Sequence, residues 1–286
     1  MRTEELSSAP SLTTLLVKAI LTAPTRRGGE LPDTELVLSD VVADRDKLAN
    51  YARVCGFRLT TELPPTYPHI LGFPLAMRLM TDTGFPFALP GLVHAGNLII
   101  QHRPLPADRP LAIRVRTDSL EATEKGTQFV VRTEAYAGEQ AVWQEESRYL
   151  HLEKGKAKQG PREQREPAEE VEPPTPTAIW RLPDDLGRRY AAVSGDHNPI
   201  HLHPLSAKLA GFSRPIAHGM WTLAHCLAAL EGRLPDAYRA EVKFRRPIAL
   251  PSTVGFLAQR TEDGWALGVH NRSGEKTYLT GVVGRP

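Results

Sequence analysis

The stretch PIAHGMWTLAHCLAAL, residues 215–230, decides how this chain folds. Met220, Trp221, Leu223, Ala224, Cys226, Leu227, Ala228 and Leu230 leave it almost no polar face. A helix that is apolar all round must be covered on most sides. The spacing predicts a helix of about 14 residues beginning near His218. Residues 238–250, 252–260, 264–271 and 276–283 follow it, rich in β-branched and aromatic residues and separated by turn signals. They read as an antiparallel meander. A buried helix followed by such a meander implies a curved sheet wrapped around the helix.

The same order occurs earlier in the chain. FPLAMRLM (73–80) precedes Gly84-Phe85 and then GLVHAGNLII (91–100). HPLSAKLA (203–210) precedes Gly211-Phe212 and then the decisive stretch. This alignment pairs Pro74-Leu75 with Pro204-Leu205, and His94 with His218. Residues 111–120, 127–136 and 141–152 are again strand-like. Ala137-Gly138-Glu139 and Ser273-Gly274-Glu275 fall at equivalent hairpin turns. The expectation is an α+β chain of two fused copies, joined edge to edge into one longer sheet that hides their open strand edges.

Composition narrows the classes of partner. The 286 residues are 41% hydrophobic and 24% charged, enough for two domains with substantial cores. The net charge is +2, from 35 basic and 33 acidic residues, and no basic stripe with interleaved aromatics suggests nucleic acid. Cys55 and Cys226 lie far apart in no metal-type pair, so two buried free thiols in a reducing cytoplasm are expected. The apolar run from Leu12 to Ala23 is short for a membrane span, carries Lys18 and lacks signal-peptide features, so it reads as a docking helix. The segment KGKAKQGPREQREPAEEVEPPTPT (154–177) is charged, proline-rich and poor in large apolar residues, the composition of a linker. It divides the chain into copies at 1–153 and 178–286.

The chemistry concentrates in YAAVSGDHNPIH, residues 190–201. Gly195 permits a sharp turn after a short helix, and Asn198-Pro199 favours another. Ile200 can anchor the loop, and His201 emerges five residues after Asp196. A loop folded this way can bring carboxylate and imidazole together over one water, a general acid/base arrangement with a group titrating near working pH. Gly219 opens the buried helix, where free backbone N–H groups can stabilise an oxyanion and no side chain blocks a substrate carbonyl. From spacing alone, a turn-stabilising Asp and a satisfied core His remain the alternative.

Other readings carry less. His197, His201, His203, His218 and His225 with Asp196 invite a metal site, but the spacing matches no regular zinc pattern. Ser194 and Ser206 lie outside any nucleophile elbow. His218 either shapes the helix start or lines a substrate channel. Arg188, Arg189, Lys208 and Arg214, and the cluster Lys243, Arg245 and Arg246, could meet phosphates or form an ordinary solvated face.

The segment YAAVSGDHNPIHLHPLSAKLAGFSRPIAHGM (190–220) resembles the signature of the MaoC-like, R-specific enoyl-CoA hydratase family. Tyr190, Gly195, Asp196, Asn198, Pro199 and His201 carry the likeness, with Pro-Ile-Ala-His-Gly-Met at 215–220. The resemblance implies the hotdog fold, and the whole chain is similar to two-copy 3-hydroxyacyl-thioester dehydratases, that is, a double hotdog. It implies Asp196 and His201 as the catalytic dyad, and Gly219 as the oxyanion-hole donor. Asn198, with Gly195 and Tyr190, would support the loop. The implied reaction is hydration of a trans-2-enoyl thioester of coenzyme A or acyl carrier protein, or its reverse, with no metal or redox cofactor. The first copy departs from the pattern. TELPPTYPHILGFPLA (61–76) has no Gly-Asp-x-Asn-Pro, and Ala95 follows His94 where glycine follows His218. One site per chain is expected, with the first copy supporting the acyl pocket and leaving room for a longer chain. A thioesterase, a non-catalytic acyl-binding subunit and a metal hydrolase are the rivals. The two copies form an intrachain pseudo-dimer, to which a homodimer could be added.

Overall fold

The computed structural model describes residues 1–23, 26, 28–89, 91–153 and 175–286. The expected linker at 154–177 therefore lies outside the described residues, apart from 175–177. The first copy comprises β1 (Arg2–Leu6), α1 (Leu12–Thr22), β2 (Thr34–Val41), α2 (Arg45–Cys55), α3 (Tyr67–Met80), β3 (Leu92–Gln101), β4 (Leu111–Thr123), β5 (Gly126–Ala137) and β6 (Gln140–Leu152). The second comprises β7 (Ala178–Leu182), α4 (Leu186–Ser194), a 3-10 turn (Pro199–His201), α5 (Pro204–Leu209), α6 (Gly219–Ala228), β8 (Tyr238–Phe244), β9 (Ser252–Arg260), β10 (Gly264–Asn271) and β11 (Thr277–Gly284).

Among the described residues, all the strands form one sheet in the order β1-β2-β4-β5-β6-β3-β8-β11-β10-β9-β7. The order β2-β4-β5-β6-β3 is repeated as β7-β9-β10-β11-β8, so the two copies are related strand for strand. They meet where β3 runs antiparallel to β8, from Gly96 opposite Lys243 to Gln101 opposite Tyr238. Each copy wraps its sheet around one apolar helix, and the fold is the expected double hotdog. In α6, Met220, Trp221, Leu223, Ala224, Cys226 and Leu227 are all buried. In α3, Tyr67, Phe73, Leu75, Ala76, Leu79 and Met80 are buried as well. Cys55 and Cys226 are buried free thiols. Among the described residues no helix is long and apolar enough to cross a membrane.

The pairing of residues 91–100 with the buried helix is corrected. That stretch is the seam strand β3, and the helix matching α6 is α3. The apolar residues of this strand fall in runs such as Leu98-Ile99-Ile100 without strict alternation, so periodicity does not separate it from a buried helix. His94 therefore does not occupy the position of His218. The repeat that aligns the copies lies elsewhere, between YARVCGF (51–57) and YAAVSGD (190–196). Both segments end a helix at a left-handed glycine, Gly56 at φ 87° and Gly195 at φ 77°. A left-handed helix end suits glycine because it has no Cβ to collide with the backbone. In the first copy Phe57 stands where the second has Asp196.

The copies are also tied through their helices. Trp221 Nε1 donates to the Val54 carbonyl at 2.9 Å, and His225 Nδ1 lies 2.8 Å from the Cys55 carbonyl. Helix α1 docks as expected, with Leu15 and Ala19 buried. Its C-terminal side is held by Arg26, whose guanidinium donates to the carbonyls of Thr81, Asp82 and Phe85. Trp143 on β6 is fully buried, and its indole N–H donates to the Pro65 carbonyl at 2.8 Å. Replacing a buried tryptophan by alanine leaves a large cavity, and here it also strands a carbonyl. Trp143→Ala is expected to cost about 3–5 kcal/mol in a urea unfolding experiment.

Candidate active site

The loop after α4 folds through its own side chains. Gly195 turns the chain, and Ser194 Oγ accepts from the Asp196 N–H at 3.1 Å. Asp196 Oδ1 accepts from the Asn198 N–H at 3.1 Å. Asn198 Oδ1 in turn caps the 3-10 turn through the Ile200 N–H at 3.4 Å, with Pro199 at its first position. The His201 N–H closes the turn onto the Asn198 carbonyl at 3.0 Å. His201 Nδ1 lies 2.7 Å from the Ile216 carbonyl. A carbonyl only accepts, so Nδ1 carries the proton and Nε2 keeps its lone pair. The loop lies tight against α4. A Cβ on Gly187 would come 2.0 Å from the His201 carbonyl oxygen.

His218, the N-cap of α6, sits between the two expected dyad residues. Its ring stacks on His201 at 3.6 Å. His218 Nε2 donates to the Asp196 carbonyl at 3.0 Å and lies 3.8 Å from Asp196 Oδ2. The Tyr190 ring packs on His218 at 4.8 Å. His218 and His201 are buried, while the Asp196 side chain keeps 35% of its surface exposed. Burial and the neighbouring His201 push the His218 pKa down to about 3, so it is a neutral imidazole. Burial also lowers His201, against the pull of Asp196. For Asp196, burial opposes ionisation, but His218, His201 and the Asn198 N–H outweigh it and hold the carboxyl below its usual range. The resting pair is thus a carboxylate beside a neutral imidazole.

Gly219 is the first residue of α6, where backbone N–H groups have no acceptor within the helix. The Phe244 ring lies 3.1 Å from where a Cβ on Gly219 would stand, so a side chain there would press on that ring. The structure thus gathers Tyr190, Gly195, Asp196, Asn198, His201, His218 and the α6 N-terminus into one place. Other expected candidates have different surroundings. His203 Nδ1 caps α5 by accepting from the Leu205 N–H at 3.2 Å, and His225 ties α6 to α2. Ser206 Oγ bonds the Pro199 and His203 carbonyls at 2.6 and 2.9 Å, a turn-holding role. Arg188, Arg189, Lys208, Arg214, Lys243, Arg245 and Arg246 are exposed.

Asp196, His201 and His218 each offer a ligand atom within 4.8 Å of the others, a spacing a metal ion could also use. Two of the four imidazole nitrogens are already committed to carbonyl oxygens, His201 Nδ1 and His218 Nε2. Sequence reasoning missed Gly187 and Leu12. Only close backbone approach requires the glycine, and Leu12 reaches the loop from the far end of the chain. Its Cδ1 lies 2.3 Å from where a Cβ on Gly195 would stand.

The model of the MaoC like domain matches residues 148–281. The chain is 37% identical over 257 residues to 3-hydroxyacyl-thioester dehydratase X of Mycobacterium tuberculosis, covering 90% of this chain and 91% of the relative. The crystal structure of HtdX from Mycobacterium tuberculosis superposes with a TM-score of 0.78 at 37% identity, covering 87% of this chain and 99% of that one. The peroxisomal enoyl-CoA hydratase 2 of Arabidopsis thaliana is 30% identical over 171 residues, covering 51% of each chain. The chain belongs to the MaoC-like family of enoyl-thioester hydratases and dehydratases.

Gly195→Ala separates the two demands on that glycine. Forcing an alanine to φ 77° costs about 1–2 kcal/mol, and its Cβ also strikes Leu12. In thermal melts, Leu12→Ala is expected to relieve the second loss in a Gly195→Ala background but not the first.

Proposed function

We propose that this chain interconverts trans-2-enoyl thioesters and (3R)-hydroxyacyl thioesters, with Asp196 and His201 as the catalytic pair. The observation that carries this is the free Nε2 of a neutral His201 beside an ionised Asp196, with the α6 N-terminus adjacent. The thioester carbonyl accepts from the Gly219 N–H, which draws electron density away from C3. Asp196 holds a water against C3. His201 Nε2 takes a proton from that water as the C3–O bond forms. The C2=C3 electron pair moves toward the carbonyl, and the imidazolium returns the proton to C2 on the same face. Dehydration runs the same steps backwards. Atoms balance with no redox partner.

His218 and Asn198 hold the Asp196 backbone and loop, and Tyr190 backs the His218 ring. The first copy, residues 1–153, supports the acyl pocket, and residues 178–286 carry the chemistry. The exposed basic residues suit the phosphates of coenzyme A or a phosphopantetheine arm. Two buried free thiols suit a reducing cytoplasm.

The first test follows loss of the conjugated enoyl-thioester absorbance with crotonyl-CoA. Asp196→Asn and His201→Ala should each lower kcat/KM by on the order of 10²–10⁴-fold. No free thiol should appear, and incubation with chelator should leave the rate unchanged. Thiol release would mean a thioesterase, and chelator sensitivity would mean that Asp196, His201 and His218 hold a metal.

The pH dependence has a defined sign. Hydration needs His201 neutral and Asp196 ionised, and both groups titrate below their ordinary values. Activity is therefore expected to persist below pH ~6.5, the ordinary histidine value, and to fall only as the solution becomes more acidic. A kcat/KM profile already halved at that pH would contradict the assignment.

A further inference from the structure

The inner face of the first copy carries a buried polar cluster. Asn97 on β3 is 0% exposed and Glu145 on β6 is 1% exposed. Glu145 Oε2 accepts from His69 Nδ1 of α3 at 2.9 Å, and Glu145 Oε1 accepts from Asn97 Nδ2 at 2.7 Å. Asn97 Nδ2 also donates to Ser147 Oγ at 3.1 Å. A carboxylate only accepts, so the nitrogen of the Asn97 amide faces Glu145 and its oxygen is left over. Asn97 Oδ1 is buried with no partner among the described residues, and so is His94 Nε2 on the same strand. His94 lies opposite Tyr149, and Asn97 opposite Ser147, so the bulge between them puts both side chains on one face.

The second copy shows that the fold does not need polar groups there. Its corresponding strands, β8 and β11, bury Ala240, Val242, Leu279 and Val283. A buried polar atom left without a hydrogen bond is costly, so two of them on one face call for a partner from outside the chain. They also stand close to the chemistry. The His94 ring stacks on Tyr149 at 4.7 Å and meets Phe244 of β8 edge-on at 5.1 Å. That Phe244 ring is the one 3.1 Å from where a Cβ on Gly219 would stand. A single ring therefore separates His94 from the first residue of α6.

We propose that Asn97 Oδ1 and His94 Nε2 form a subsite for a hydroxyl group carried by the substrate's acyl chain beyond C3. The proposal rests on the hydratase reading above and narrows its substrate class to thioesters whose acyl chain bears a second oxygen. A hydroxyl fits where other groups do not. It both donates and accepts, and Asn97 Oδ1 needs a donor. A ketone has no proton to give. A carboxylate would be buried beside Glu145, and an ammonium would find both Glu145 oxygens already bonded. Burial and the neighbouring His69 lower the His94 pKa to about 4, so its ring is neutral and offers one donor and one acceptor nitrogen. The arm of the thioester also carries polar groups, but it must lead out to solvent, and these two atoms lie inside the sheet.

The test uses the full chain and trans-2-enoyl-CoAs of increasing length, each with and without a terminal hydroxyl. At the length where the hydroxyl reaches β3, the hydroxylated member should have a kcat/KM about 10–100-fold higher, the range expected when a buried polar group is met rather than left unpaired. Calorimetry with the saturated acyl-CoAs, which cannot be hydrated, should show the same preference in Kd. His94→Phe keeps a ring against Tyr149 and Phe244 but removes Nε2, and should shrink the ratio about tenfold. Asn97→Ala removes Oδ1 and should do the same, so either variant that melts cooperatively suffices. Equal kcat/KM and equal Kd within every pair would overturn the proposal. So would a variant that weakens both members of a pair alike, since the arm and not the acyl chain would then occupy the site. Binding needs no turnover, so a wild type that discriminates in Kd but converts neither member would count against the hydratase reading alone.

Discussion

The pairing of β3 with β8 is the contact on which the rest of the molecule depends. Each copy alone would end in an open strand edge, with its unpaired amide and carbonyl groups. Joined from Gly96–Lys243 to Gln101–Tyr238, those edges satisfy one another and the two sheets become one. The seam also admits few substitutions. A Cβ on Gly96 would lie 2.8 Å from the Val242 carbonyl oxygen. Once the seam is set, α2 and α4 pack against each other, and α6 is tied to α2 through Trp221 and His225. The catalytic loop of one copy is thereby held beside the inner face of the other.

Within that frame the site is made by short-range hydrogen bonds in a few consecutive residues. Ser194, Asp196 and Asn198 each accept from a backbone N–H two residues on, which bends an irregular segment into one shape. The Ile216 carbonyl then fixes the tautomer of His201. Burial keeps His201 and His218 uncharged beside an ionised Asp196. The loop therefore settles geometry and charge state together, before any substrate arrives.

Much of this was legible in the sequence. Strands β9 and β10 run over the 252–260 and 264–271 stretches recognised by their β-branched and aromatic content. The Gly-Asp-x-Asn-Pro-x-His loop was legible because its turns are written in glycine, asparagine and proline, residues with strong backbone preferences. The seam strand was not legible, because the apolar residues of 91–100 fall in runs and offer no strict alternation. The true repeat also escaped notice. YARVCGF and YAAVSGD share a tyrosine, an alanine, a valine and a glycine, but the chemistry-bearing seventh residue differs. The Leu12–Gly195 contact and the His69–Glu145 pair join residues far apart in the chain, which no local pattern reports.

Covalent fusion of the copies has a consequence for how such a protein can change. In a dimer of identical single-hotdog chains, every substitution is made twice, once on each side of the two-fold axis. A buried glutamate at the position of Glu145 would then appear as two carboxylates in one interior, each needing its own partner. In a fused chain the same residue occurs once, and Leu279 and Val283 can keep the other half apolar. Phe57 and Asp196 make the same point at the catalytic turn. Both halves carry the glycine that bends the chain, and the residue after it has taken two unrelated occupations.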